Sequence, residues 1–134
     1  MVDPEMLTFR VHDERLAIAR LSHEADVPAW ARGAFVTVSR TRTELSIVCA
    51  QQHVPHGVVQ ERDKVALGID GVVPMSTIGL LAQLCAALAA ASVPVFVIST
   101  YDTDWLLVSA ERVGAARAAL AAAGHHVLGE APER

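Results

Sequence analysis

The chain has 134 residues, with eleven Lys plus Arg against fifteen Asp plus Glu, a net charge of −4 and 52% apolar residues. At about 100 to 200 residues per domain this is one compact domain or two very small ones. A large multidomain enzyme is thereby excluded, and there is apolar side chain enough for a core. No basic cluster is present to neutralise a row of phosphates, and aromatic residues are only 4%, so nucleic acid is not an expected partner.

The N-terminal run MVDPEMLTFRV places two acids and a proline where a signal peptide has basic and then apolar residues; a cytoplasmic location is expected. Leu7, Phe9 and Val11 alternate with Thr8, Arg10 and His12, the period of a half-buried strand. Leu16 to Leu21 forms a second strand, and Pro28 to Ala31 a single turn of helix. Phe35 to Val38 and Leu45 to Val48 read as a hairpin around Thr41 to Glu44, and Gln51 to His56 is too short, and too interrupted by Pro55, for a helix. Lys64 to Asp70 alternates Val65, Leu67 and Ile69, a strand again. Ser76 is the expected N-cap of a helix carrying Leu80, Leu84 and Leu88 to about Ala91. The β-branched run Val93 to Ser99, a turn at Tyr101 to Asp104 and a returning strand Trp105 to Val108 follow. Ser109 caps a second helix with Glu111 in its first turn, Gly124 ends it, and His125 to Leu128 is the last strand. Gly71 to Tyr101 carries no charge, but Pro74 and Pro94 bracket it and Asp70 and Asp102 flank it. Between the prolines only Met75 to Val93 could be helical, and a helix buried against a sheet is expected there, not a membrane span.

Slid against itself by sixty residues, the sequence pairs Ser39 to Ala50 with Ser99 to Ala110, keeping Ser39/Ser99, Thr43/Thr103, Val48/Val108 and Ala50/Ala110. A tandem repeat accounts for this. The second copy reads βαββαβ, a ferredoxin-like plait with helices on one face of an antiparallel sheet; the first has the same plan with reduced helices. The expected domains are residues 1–62 and 63–134, and the expected class is α+β. Neither half buries enough surface alone, so the two are expected to pack together.

The run Ile98-Ser-Thr-Tyr-Asp-Thr-Asp-Trp-Leu-Leu-Val108, preceded by the S-x-x-G-L-L helix start at Ser76 to Leu81 and followed by a helix ending Ala-Gly-His125, resembles the tandem ACT-domain proteins of the CASTOR type, including small bacterial ones. The likeness extends over nearly the whole chain, through Ala29-Trp30, Arg40-Thr41 and the Val36 to Val48 hairpin. It implies two tandem ferredoxin-like ACT modules that bind a small effector, usually a free amino acid, between modules. It further implies ligand contacts from the helix-start loop at Gly79, Leu80 and Leu81, and from the strand and turn at Thr100, Tyr101, Thr103 and Asp104. Where bacterial relatives commonly carry a Thr before the glycine this chain has Ile78, which removes one hydroxyl.

The residues support such a ligand independently. A zwitterion needs donors for its carboxylate and an acceptor for its ammonium. A helix beginning near Ser76 offers free N–H groups, which puts Ser76 among the expected ligand-binding residues, and Gly79 lets a carboxylate approach them. Asp104 is the expected partner of the ammonium or of a basic side chain, with Thr100 and Tyr101 supplying backbone groups. Beside this stand plainer roles: Asp102 and Asp104 as turn residues, Ser76 as a cap, Gly79 as a packing glycine, Tyr101 and Trp105 as rim and core.

No catalytic residues are assigned. Cys49 and His53 lack a third group to orient them, and Cys49 and Cys85 lack CxxC spacing and are read as reduced thiols. His53, His56, His125 and His126 lack a thiolate or carboxylate at ligand spacing, so neither metal nor cofactor is expected. Unpaired sheet edges point to a homodimer. The expected function is non-catalytic sensing of a small metabolite, most simply an amino acid. The alternatives are an interaction module with no ligand and a small-molecule enzyme.

Overall fold

The computed structural model describes residues 2–133. Its elements are β1 (Thr8–Val11), β2 (Leu16–Leu21), β3 (Thr37–Arg40), β4 (Leu45–Ala50), β5 (Val59–Ile69), α1 (Leu80–Ala90), β6 (Phe96–Ser99), β7 (Asp104–Ser109), α2 (Val113–Ala122) and β8 (His126–Leu128), with short 3₁₀ turns at Gln51–His53 and Ala110–Arg112. The fold is α+β with a ferredoxin-like sheet and few helices.

The chain divides into two compact units that are not consecutive in sequence. One holds residues 2–13 with Val65–Ala131, the other Glu14–Lys64 with residues 132–133. This differs from a division at residues 62 and 63, because β1 packs with the residues that follow Val65.

In the first unit the strands lie in the order β6-β7-β5-β1-β8. The sequence β5-α1-β6-β7-α2-β8 is the βαββαβ plan, and β1 is inserted in it. β1 runs antiparallel to β5, with Phe9 opposite Ile69, and parallel to β8, with Phe9 opposite Val127. Leu80, Leu84 and Leu88 recur on one face of α1, and Val113, Ala116 and Leu120 on one face of α2. Both stripes pack on Leu7, Phe9, Val65, Leu67, Ile69, Leu106 and Val108, the contact that makes these segments helical in spite of modest amphipathicity elsewhere.

The helices end alike. Ser92 (φ +58°) follows α1, and Val93 N–H donates to Leu88 O at 2.9 Å; Gly124 (φ +98°) follows α2, and His125 N–H donates to Leu120 O at 3.0 Å. Each is a left-handed C-cap that satisfies the last carbonyls.

In the second unit β3, β4, β2 and the first half of β5 pair antiparallel in that order. Its small core is Ala17, Ala19, Leu45, Ile47, Cys49 and Val54, edged by Trp30, Ala31 and Val58. No α-helix occurs in it among the described residues; Gln51–His53 supplies its 3₁₀ turn. Where β2 meets β5 the register shifts between Leu16 and Ile18. There Asp63 takes φ +58°, held by its N–H to Gln51 Oε1 at 2.7 Å and by Arg15 Nη1 to its own Oδ1 at 3.0 Å. This is a β-bulge.

The repeated segments are both hairpins with two-residue loops. Thr41 N–H donates to Glu44 O at 2.9 Å in one, and Thr100 N–H to Thr103 O at 2.8 Å in the other. The second turn therefore closes one residue earlier than the expected Tyr101 to Asp104. Its loop residues are Tyr101 and Asp102, and Asp104 opens β7 opposite Ser99.

Candidate functional site

Between β5 and α1 the chain makes a turn in which Thr77 N–H donates to Pro74 O at 3.0 Å. Val73 N–H donates to Asp102 O at 2.7 Å, which ties this loop to the tip of the β6–β7 hairpin. Gly79 then turns the chain into α1 with φ +83°, and no atom lies within 4 Å of where a Cβ would stand. Backbone conformation, not crowding, calls for glycine here.

The expected cap is displaced. Ser76 sits inside the Pro74–Thr77 turn, and the N-cap is Gly79, whose positive φ is incompatible with a helix running through from Ser76. The first helical bond is Gln83 N–H to Gly79 O at 3.1 Å. The N–H groups of Leu80, Leu81 and Ala82 consequently have no partner within the helix. No side chain caps them and no acid stands in the first turn.

Across from this helix end stands the hairpin. Asp104 shares the helix-facing side of β7 with the buried Leu106 and Val108, whereas Asp102 lies in the loop and engages Val73 through its carbonyl. The hydroxyl protons here are all committed: Ser99 Oγ donates to Asp104 Oδ1 at 2.5 Å, Thr100 Oγ1 to Thr103 O at 3.1 Å, and Thr103 Oγ1 to Ile69 O at 3.0 Å. Each hydroxyl has one proton to give, and an ionised carboxylate only accepts. This wall thus presents lone pairs.

A cleft of about 330 Å³ joins the two walls. Of the residues expected at a site, Gly79, Leu80, Leu81, Thr100, Thr103 and Asp104 line it. Ser76 and Tyr101 do not; Tyr101 is 84% exposed at the loop tip, as a two-residue turn requires. The lining also includes Val73, Pro74, Met75, Thr77, Ala82 and Ser99. Ser99 carried a signal in the sequence, since closing the hairpin one residue earlier makes it the partner of Asp104. All of these residues belong to the first unit. The lining includes one carboxylate and no Lys, Arg or His.

Elsewhere, Cys49 is buried and its thiol points to Trp30 O at 3.9 Å; burial pushes its pKa up, with Glu14 adding to the rise and a backbone hydrogen bond from Arg32 opposing it. That suits a small core side chain and not a thiolate nucleophile. His125 is buried, and its Nδ1 accepts the Leu7 N–H at 3.0 Å. Among the described residues no three His, Cys, Asp or Glu side chains come together as metal ligands, and no helix is long and apolar enough to cross a membrane.

The family model of the ACT domain, ACT_7, matches residues 59–122, the stretch that contains the cleft. The chain carries an ACT domain. A second model, of an N-terminal domain, matches residues 14–57. Protein Atu0741 from Agobacterium tumefaciens is 30% identical over 96% of this chain and 98% of its own, with a TM-score of 0.88, and the two belong to one family. VC0802 from Vibrio cholerae, described as a protein of unknown function and possible transport protein, shares the fold at 15% identity and TM-score 0.71, covering 90% of this chain and 92% of its own. So does the regulatory subunit of aspartate kinase from Thermus flavus, at 16% identity and TM-score 0.61, covering 84% and 94%. Among curated proteins none matches the chain. ACT domains generally bind amino acids in regulatory roles.

Proposed function

We propose that the chain is a non-catalytic regulatory protein that binds a free amino acid in the cleft of its ACT domain. The observation that carries this is the opposition of two walls of unlike character. One is a helix end whose Leu80, Leu81 and Ala82 N–H groups only donate; the other is a set of hydroxyls and the Asp104 carboxylate that only accept. A zwitterion matches both: its carboxylate faces the helix end, where the dipole also favours negative charge, and its ammonium gives protons to Asp104 and to the lone pairs of Ser99, Thr100 and Thr103. Ligand bridging the loop before α1 and the hairpin would tighten the Val73 to Asp102 connection. Such differential binding to one arrangement of the loop is the physical basis for signalling.

The test is a thermal-shift and calorimetric screen of the proteinogenic amino acids, with the amide and the N-acetyl derivative of any hit as controls. For a ligand of this size a Kd of roughly micromolar to millimolar is expected. Removing the carboxylate or the ammonium should abolish binding, and Asp104→Asn should weaken it while leaving the unliganded melting temperature nearly unchanged. No response to any amino acid at millimolar concentration rejects the reading.

A further inference from the structure

Once the helix end and the acceptor wall are occupied by the two ends of a zwitterion, the rest of the cleft decides which side chain it takes. Val73, Pro74, Met75 and Leu81 supply aliphatic and thioether surface, and Thr77 is the polar side chain that remains beside them. We infer that the cleft selects a neutral amino acid with an aliphatic or thioether side chain and rejects acidic and basic ones; this rests on the amino-acid reading above.

The chemistry of the lining converges on it. An acidic side chain brought into this space finds no Lys, Arg or His in the lining. The one charged residue of the lining is Asp104, and the hydroxyls beside that carboxylate have already given their protons to protein acceptors. An ionised group placed there is desolvated without a partner, which binding cannot offset. A basic side chain brings a second cation to a site with one carboxylate, one oxygen of which already accepts the Ser99 hydroxyl at 2.5 Å. One of the two cations is then left without a counter-charge. A long uncharged polar side chain fares little better, since Thr77 alone is left to satisfy it, and a site with unpaired polar groups discriminates strongly against such ligands. An aliphatic chain loses nothing on leaving water and gains contact with the apolar lining. The thioether of Met75, 76% exposed at the rim, can follow ligands of different branching. A cleft of about 330 Å³ stands at the low end of the range of small-molecule sites, roughly 300 to 1,000 Å³, which suits one compact ligand.

Calorimetry on the full chain separates the outcomes. Leucine, isoleucine, valine and methionine are expected to bind at least about tenfold more tightly than glutamate, aspartate, lysine or arginine. Glutamate or arginine binding as tightly as leucine overturns the selectivity and leaves the amino-acid reading standing; silence from all twenty removes both. Met75→Lys introduces a cation at an exposed position where folding is not at stake. It is expected to confer a glutamate response that the natural chain lacks and to weaken leucine. A lysine there that leaves glutamate excluded overturns the claim that a missing counter-charge is what excludes acids.

Discussion

His125 is buried, its ring meets Phe9 edge-on at a centroid separation of 6.1 Å, and its Nδ1 accepts the backbone N–H of Leu7 at 3.0 Å. That bond requires Nδ1 to be unprotonated, and protonation would set two donors against each other. Burial therefore lowers the pKa from its ordinary value of 6.5, and the neighbouring His126 lowers it further. In the unfolded chain the same imidazole protonates first as pH falls. Between 6.5 and the lower native value the unfolded state binds more protons, so stability drops with falling pH in that window and is constant in this respect above it. Urea midpoints measured between pH 8 and pH 5.5 should show this decline, and His125→Gln, which keeps an acceptor but cannot titrate, should flatten it. A variant whose midpoint falls as steeply as the natural chain's would place the effect elsewhere. The same scale shows what the sequence hid at the cleft. In the run Asp102-Thr103-Asp104 two carboxylates look equivalent, yet one caps a loop through its backbone and the other faces the helix, because a hairpin closing at Thr100 and Thr103 fixes which residue begins the strand.

Among the elements, β5 shows how a strand pattern can be legible while its environment is not. The alternation of Val65, Leu67 and Ile69 marks the face that packs on the helices, and it does so. The other face is covered as well: Ala66 is fully buried, and a Cβ on Gly68 would lie 2.4 Å from Trp105 Cζ3. Gly68 thus makes room for an indole that the sequence alone assigns only to rim or core. Gly68→Ala should cost about 1 to 3 kcal/mol through overpacking, read as a lower urea midpoint with unchanged slope. Combined with Trp105→Leu, the two costs should fall short of their sum, because shrinking the ring removes the clash; strict additivity would show that the ring is not the cause. The helices were similarly half-legible. Gly124 announces the end of α2, but α1 is closed by a left-handed Ser92, a residue with no such signature, where the Val93 N–H turns back to Leu88 O. At its start the Ser-x-x-Gly spelling favours Ser76 as cap, and local side-chain chemistry loses to the backbone freedom of Gly79.

At the scale of the molecule, the repeat of hairpins is plain in the sequence, but the strand that opens the chain does not stay with the hairpin that follows it. β1 enters between β5 and β8, with Leu7 1% and Phe9 0% exposed in the core that α1 and α2 also cover. Leu7, Phe9 and Val11 declare a half-buried strand; nothing in a period of two names its partners, and here they lie some sixty residues and more away, Phe9 opposite Ile69 and Val127. A fragment of residues 63–134 consequently lacks a central strand of its own sheet. Loss of two core side chains of this kind costs about 2 to 5 kcal/mol each, against a total stability of about 5 to 15 kcal/mol for a domain. It also leaves β8 without the strand it pairs with, and β5 with an open edge. The fragment should show no cooperative melt by circular dichroism and should bind a hydrophobic dye. Restoring residues 2–13 after residue 131, through a Gly/Ser linker of about ten residues with a reach of about 17 Å, should bring back a cooperative transition. A sharp melt of the 63–134 fragment at the temperature of the full chain would mean that β1 is dispensable to the sheet it divides.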